Sequence, residues 1–212
     1  MASRSGKFVV SSMVLALALF AFAGAGEAQS LTNRTDGDVQ IISAPAGSGG
    51  CPFTIDGTLG SGSPNYTGTS GEQTGRLNRN GVASTCAVPK VCDIFLTDPG
   101  RAYDAYEFPN TSGSTACVSA TLEVITQTAC NLQLNMYTNT YDPANICTGY
   151  LADPGVSSGT PPSISGLEGD VPAGDSVIFV VHTTNPGEFG CEYLIHVDGD
   201  CFPVELESLD IE

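Results

Sequence analysis

Val177-Ile178-Phe179-Val180-Val181 is an unbroken apolar run. Buried on both faces, it reads as a strand in the middle of a sheet. Elsewhere the apolar residues alternate. In Cys117-Val118-Ser119-Ala120-Thr121-Leu122-Glu123-Val124 they fall at Val118, Ala120, Leu122 and Val124, one face of a half-buried strand. Leu132, Leu134 and Met136 repeat the pattern, and Tyr103, Tyr106 and Phe108 mark an earlier strand. Asn185-Pro186-Gly187 turns the chain, after which Tyr193, Ile195 and Val197 share a face. Asn80-Gly81 is a tight-turn dipeptide. Residues 57–75 are rich in Gly, Ser and Thr and read as loop. Helical periodicity is nowhere sustained. Seven to nine short strands between turn signals predict an all-β fold, a disulfide-stapled antiparallel β-sandwich or jelly roll.

Four strings, taken in order, extend this reading. Ser84-Thr85-Cys86-Ala87-Val88-Pro89-Lys90-Val91-Cys92 is a short cysteine loop, and Arg101-Ala102-Tyr103-Asp104-Ala105-Tyr106-Glu107-Phe108 a long strand. Tyr141-Asp142-Pro143-Ala144-Asn145-Ile146-Cys147-Thr148-Gly149-Tyr150-Leu151-Ala152-Asp153 is a mid-domain loop. Val171-Pro172-Ala173-Gly174-Asp175, the apolar run and Cys191-Glu192-Tyr193-Leu194 form the last string. Their order and spacing resemble the bacterial pre-peptidase C-terminal (PPC) domain family, secreted jelly-roll sandwiches. The resemblance implies a non-catalytic module of exported or surface proteins.

The first 28 residues have the layout of a cleaved signal peptide. Arg4 and Lys7 precede an apolar run, which ends in small residues up to Ala28. The run is too short for a spanning helix, so the mature chain is expected outside the cytoplasm with no membrane span. Residues 29–50 read as a flexible N-terminal arm, 51–201 as the β-sandwich domain, and 202–212 as a C-terminal strand or tail. The chain is strongly acidic, at net charge −16. Lys90 is the sole lysine beyond the signal. Phosphate neutralisation needs clustered cations, so nucleic acid is excluded as a partner.

All eight cysteines lie beyond the signal, which in an exported chain reads as a disulfide framework. Cys86 and Cys92 are close enough to staple a loop, Cys117 and Cys130 open successive strands, and Cys147–Cys191 would join the mid-domain loop to the last hairpin, leaving Cys51–Cys201 to tie the domain's ends. A zinc site is the competing reading. It lacks paired C-x-x-C spacing and finds only His182 and His196.

No catalytic set emerges, and no cofactor is called. Gly155-Val156-Ser157-Ser158-Gly159 matches G-x-S-x-G but lacks the strand before and helix after that a nucleophile elbow needs. If residues 175–183 and 190–198 pair as a hairpin, His182 faces Glu192 and His196 faces Ile178, which disfavours a shared metal. Asp98, Asp104, Asp142, Asn145 and Asp153 offer oxygen ligands for a structural Ca²⁺. Asn33, Asn65 and Asn110 head glycosylation patterns.

The leading reading is a secreted non-enzymatic structural or interaction protein, a surface or fibre subunit. It would pair with other copies of itself or a surface component by strand addition of residues 39–42 or 204–211. The alternative is a carbohydrate- or peptide-binding module that uses exposed Tyr66, Tyr137, Tyr141 or Tyr150. The absence of Trp counts against that alternative. An enzyme ranks third and needs a carboxylate pair assembled by the fold.

Overall fold

The computed structural model describes residues 51–126 and 130–200. The expected signal segment 1–28, the expected arm 29–50, Cys201 and the expected strand or tail 202–212 lie outside the described residues. Eleven strands and no helix occur among the described residues: β1 (Phe53–Thr58), β2 (Thr69–Gln73), β3 (Arg76–Leu77), β4 (Ile94–Leu96), β5 (Arg101–Pro109), β6 (Ala116–Val124), β7 (Leu132–Thr138), β8 (Tyr150–Ala152), β9 (Ile164–Val171), β10 (Ser176–Thr183) and β11 (Glu192–Gly199). One sheet has the order β1-β11-β6-β9 and the other β2-β5-β10-β7-β8. A small ribbon joins β3 to β4. Every pairing is antiparallel. The molecule is the all-β sandwich that the alternation predicts.

The core follows from the two-residue period of a strand. Val118, Ala120, Leu122 and Val124 of β6 and Tyr193, Ile195 and Val197 of β11 face Leu132, Leu134 and Met136 of β7 and Val177, Phe179 and Val181 of β10. The run at residues 177–181 does sit mid-sheet, between β5 and β7. Its alternate residues, Ile178 and Val180, belong to a second buried cluster with Ala105 and Tyr137 on the far side of that sheet. Both faces of β10 are therefore covered, and every residue of it is buried.

Three sequence expectations need correction. The stretch 57–75 is not all loop, because β1 ends inside it and β2 lies within it. Gly57 is required in β1 because the Tyr193 ring lies over it, with a ring carbon 2.5 Å from where a Cβ would stand. Next, β10 and β11 do not pair; they lie in different sheets. The chain crosses the sandwich between them, so His182 stands opposite Tyr103 and Gln133. His196 stands opposite Thr54 and Thr121.

Third, the expected pairings Cys86–Cys92, Cys117–Cys130 and Cys147–Cys191 are replaced by others. Cys86 bonds Cys117, Cys92 bonds Cys147 and Cys130 bonds Cys191. Cys130 precedes β7 of one sheet and Cys191 precedes β11 of the other, so this bridge spans the sandwich. The other two fasten the excursion between β3 and β4, one to β6 and one to the loop 139–149. The bridges close separations of 31, 55 and 61 residues. In the chain-entropy account each then restricts the unfolded chain by about 2–4 kcal/mol. Cys51 is disulfide-bonded too; its expected partner, Cys201, lies outside the described residues. These bridges suit an oxidising, extracellular setting.

Candidate functional site

The β1–β2 loop bends around a groove of about 400 Å³ lined by Ser61, Ser63, Asn65, Tyr66, Thr67 and Ser70. Local bonds hold it open. Thr58 N–H donates to Gly62 O, and Ser63 Oγ accepts from the N–H groups of Asn65 and Tyr66. Asn65 Nδ2 donates to Asp56 Oδ1 at 2.7 Å. The Tyr66 ring leans on Phe53 and Phe108, which fixes one wall. Gly68 admits no side chain: a Cβ there would stand 2.6 Å from Ala105 O and 2.7 Å from the Tyr106 ring.

Beneath the groove lies an interior carboxylate. Asp104 occupies an inward position of β5 and is fully buried. Its Oδ1 accepts from Ser70 Oγ at 2.5 Å and from Gly60 N–H at 3.1 Å. Its Oδ2 accepts from Tyr193 OH at 2.8 Å. Tyr193 has spent its only proton on Asp104, so Tyr106 OH must donate to Tyr193 across their 2.7 Å contact. Burial raises the Asp104 pKa, against the lowering effect of these hydrogen bonds. Burial likewise raises both tyrosine hydroxyls far above their usual range. The relay ends at Ser70 on the groove wall.

No side chain lining the groove is cationic, so an anion finds no counter-charge there. The hydroxyls, the Asn65 amide and one aromatic wall suit a neutral ligand with hydroxyls of its own. Ser70 beside Asp104 does not make a nucleophile–base pair with an evident acceptor. The carboxylate oxygens are already engaged by Ser70, Gly60 and Tyr193 inside the core.

The other candidates separate. Of the four tyrosines expected to be exposed, Tyr137 is wholly buried and the others are half-buried. Tyr137, Tyr141 and Tyr150 do come together with Tyr103 on the outer face of the β2-β5-β10-β7-β8 sheet, with ring centroids 4.8–6.4 Å apart. They pack on one another there, because the loop 139–149 folds over that face. The five proposed calcium ligands are dispersed. Asp98 pairs with Arg101, Asp104 lies in the core, and Asp153 pairs with Lys90 at 2.6 Å. Asp142 caps the N–H of Ala144. Among the described residues, the one group with metal-ligand spacing is Cys86, Cys117 and Glu168, and its two sulfurs are joined as a disulfide. His182 and His196 sit on different sheets, and His196 contacts Thr54 and Glu123. Asn110 is buried, with Nδ2 donating to the carbonyls of Ser114, Val171 and Pro172. The folded protein cannot present it to a glycosyltransferase. Asn65 is exposed, and Asn33 lies outside the described residues.

No family model and no curated protein matches the chain. Three solved structures show a weak likeness to it. A family 35 carbohydrate binding module from Clostridium thermocellum is 15% identical, with 68% of this chain and 97% of that chain covered, at a TM-score of 0.32. The CBM22-1 xylan-binding domain of Paenibacillus barcinonensis Xyn10C is 10% identical, with coverages of 71% and 96% and a TM-score of 0.32. The exo-beta-1,3-galactanase Pc1,3Gal43A of Phanerochaete chrysosporium is 10% identical over 62% of this chain and 29% of that one, at a TM-score of 0.23. Scores this low carry no argument, and the sandwich rests on the strand order alone.

Proposed function

We propose that this domain is a secreted, non-catalytic binding module for a neutral, hydroxyl-rich ligand, with glycans as the chemical class. The groove over Asp104 carries the reading. It is an open concavity lined by hydroxyls and an amide, walled by Tyr66 and free of cationic side chains. The buried relay keeps Ser70 oriented, so the ligand meets a wall already in place. A glycan array followed by calorimetry on the best hit tests it. Asn65→Ala should weaken that hit by about threefold to tenfold, the worth of one or two hydrogen bonds. An array without hits, or a hit indifferent to Asn65→Ala, defeats the proposal.

A second reading rests on β1, which among the described residues has β11 as its one sheet neighbour and so leaves an edge there. A strand from another copy would add there, making a surface or fibre subunit. Light scattering distinguishes it: association that rises with concentration and vanishes when residues 29–50 are deleted supports assembly, and a strict monomer removes it.

A further inference from the structure

The outer face of the β2-β5-β10-β7-β8 sheet is polar where a covered face should be apolar. Asn131, just before β7, and Gln133, Asn135 and Tyr137 within it occupy alternate positions, about 7 Å apart. Gln133, Asn135 and Tyr137 are wholly buried. Neither Gln133 Nε2 nor Oε1 has a hydrogen-bond partner, and Asn131 Oδ1 and Asn135 Oδ1 have none either. The Tyr137 hydroxyl lies near enough to Asn135 to feel it, yet outside bonding geometry. Thr184 Oγ1, one residue past the end of neighbouring β10, is unpartnered as well. An unmet buried amide costs about 1–3 kcal/mol. A row of them on one strand is not what packing alone would produce.

The row is electrically neutral. His182 Nδ1–H donates to Thr183 O and its Nε2 accepts from Asn135 Nδ2, so the ring carries no charge. Arg101 is committed to Asp98 and to Thr184 O. Donors and acceptors mix along the row, and Tyr103, Tyr137, Tyr141 and Tyr150 stand beside it. The face is closed by Tyr141 OH, which donates to Gln73 Oε1 at 2.6 Å, by Thr74 N–H, which donates to Pro143 O at 2.7 Å, and by the Cys92–Cys147 bridge, which ties the loop to the β3–β4 excursion. The covering loop is bounded by two residues with positive φ, Asn139 at 59° and Gly149 at 71°. Thr138 N–H to Gly149 O closes its base.

We propose that this face is a second, occluded site for a small, neutral, hydroxylated ring of the size of a monosaccharide, admitted when the loop 139–149 lifts together with the part of the β3–β4 excursion bonded to it through Cys92–Cys147. Water would satisfy the amides alone. A sugar ring satisfies them and also lays its C–H face on the tyrosines. The site is separate from the groove over Asp104.

The test titrates the secreted protein with xylose, glucose and galactose. It follows the side-chain amide resonances of Gln133 and Asn135, and the tyrosine fluorescence, which no Trp obscures. At least one sugar should move both amides. Gln133→Leu should weaken that response about tenfold while leaving thermal stability unchanged or higher, since it removes an unmet amide. Gln133→Met serves if the leucine variant folds poorly. Tyr141→Phe should speed hydrogen exchange of the Asn135 amide by roughly threefold or more, by removing one tie of the loop. Amides that respond to no sugar and contact water alone overturn the proposal, as does a response that survives Gln133→Leu. Asn65→Ala should leave these shifts intact. Failure of the groove and failure of this site are therefore read separately.

Discussion

Phe179→Ala should lower the free energy of unfolding by about 3–5 kcal/mol. The ring is fully buried and stacks at 5.8 Å on Phe108. Its strand lies between β5 and β7, where Phe179 pairs with Tyr106 on one side and Met136 on the other. The loss has two parts, the transfer of the ring out of the core and the cavity left behind. The cavity cannot easily collapse, since both faces of β10 are packed and Cys130–Cys191 ties the two sheets. Phe179→Leu keeps most of the volume and should cost about 1.5 kcal/mol or less. Denaturant unfolding of the two variants, with disulfides intact, measures both. A loss under about 1 kcal/mol for Phe179→Ala would mean that the sheets close over the gap and that the bridges, not the core, set the stability.

The strand pattern was legible because period-two alternation reports burial directly. Val118 to Val124 and Leu132 to Met136 point inward as read. Pairing was not legible, because alternation says which face a residue takes and nothing about which strand lies beside it. Residues 175–183 and 190–198 look like a hairpin, separated by a turn at Gly187. The eight residues 184–191 instead carry the chain from one sheet to the other. The cysteines failed for the same reason. Cys86 and Cys92 are neighbours in sequence, but their loop lies between β6 and the loop 139–149, and each sulfur reaches outward to one of them. The string that resembles a family's short cysteine loop therefore does not close on itself.

The occluded face left a faint signal. Residues on an ordinary solvent face of a strand tend to be Lys, Glu or Thr. Asn131-Leu132-Gln133-Leu134-Asn135-Met136-Tyr137 has amides and a phenol there instead. On β10 the residues sharing that face are Ile178, Val180 and His182. An apolar pair opposite a phenol and a neutral amide says that something covers both. The groove over Asp104 left less to find, because a loop of Ser, Gly, Thr and Asn looks the same whether it frames a site or only turns the chain.

Acid should weaken the fold through His182 by about 3 kcal/mol between pH 6.5 and 4. Burial, aided by Arg101 and Arg76, lowers its pKa from 6.5 to about 4, while the Thr183 carbonyl opposes the shift. In that window the unfolded chain binds a proton that the native ring refuses, so stability falls as the pH drops from 6.5. The loss is complete near pH 4, below which both states are protonated. Asp104 has the opposite sign, because its raised pKa makes the native state the better proton binder just above the usual carboxylate range. His182→Gln separates the two. It removes the imidazole and leaves Asp104 in place. Urea unfolding of both proteins at stepped pH should show the variant gaining about 3 kcal/mol on the wild type from pH 7 to pH 4. Parallel curves would mean that the ring takes up its proton inside the native state, which requires the loop 139–149 or the β3–β4 ribbon to give way and let in water. That same opening is the one a guest on the occluded face would need.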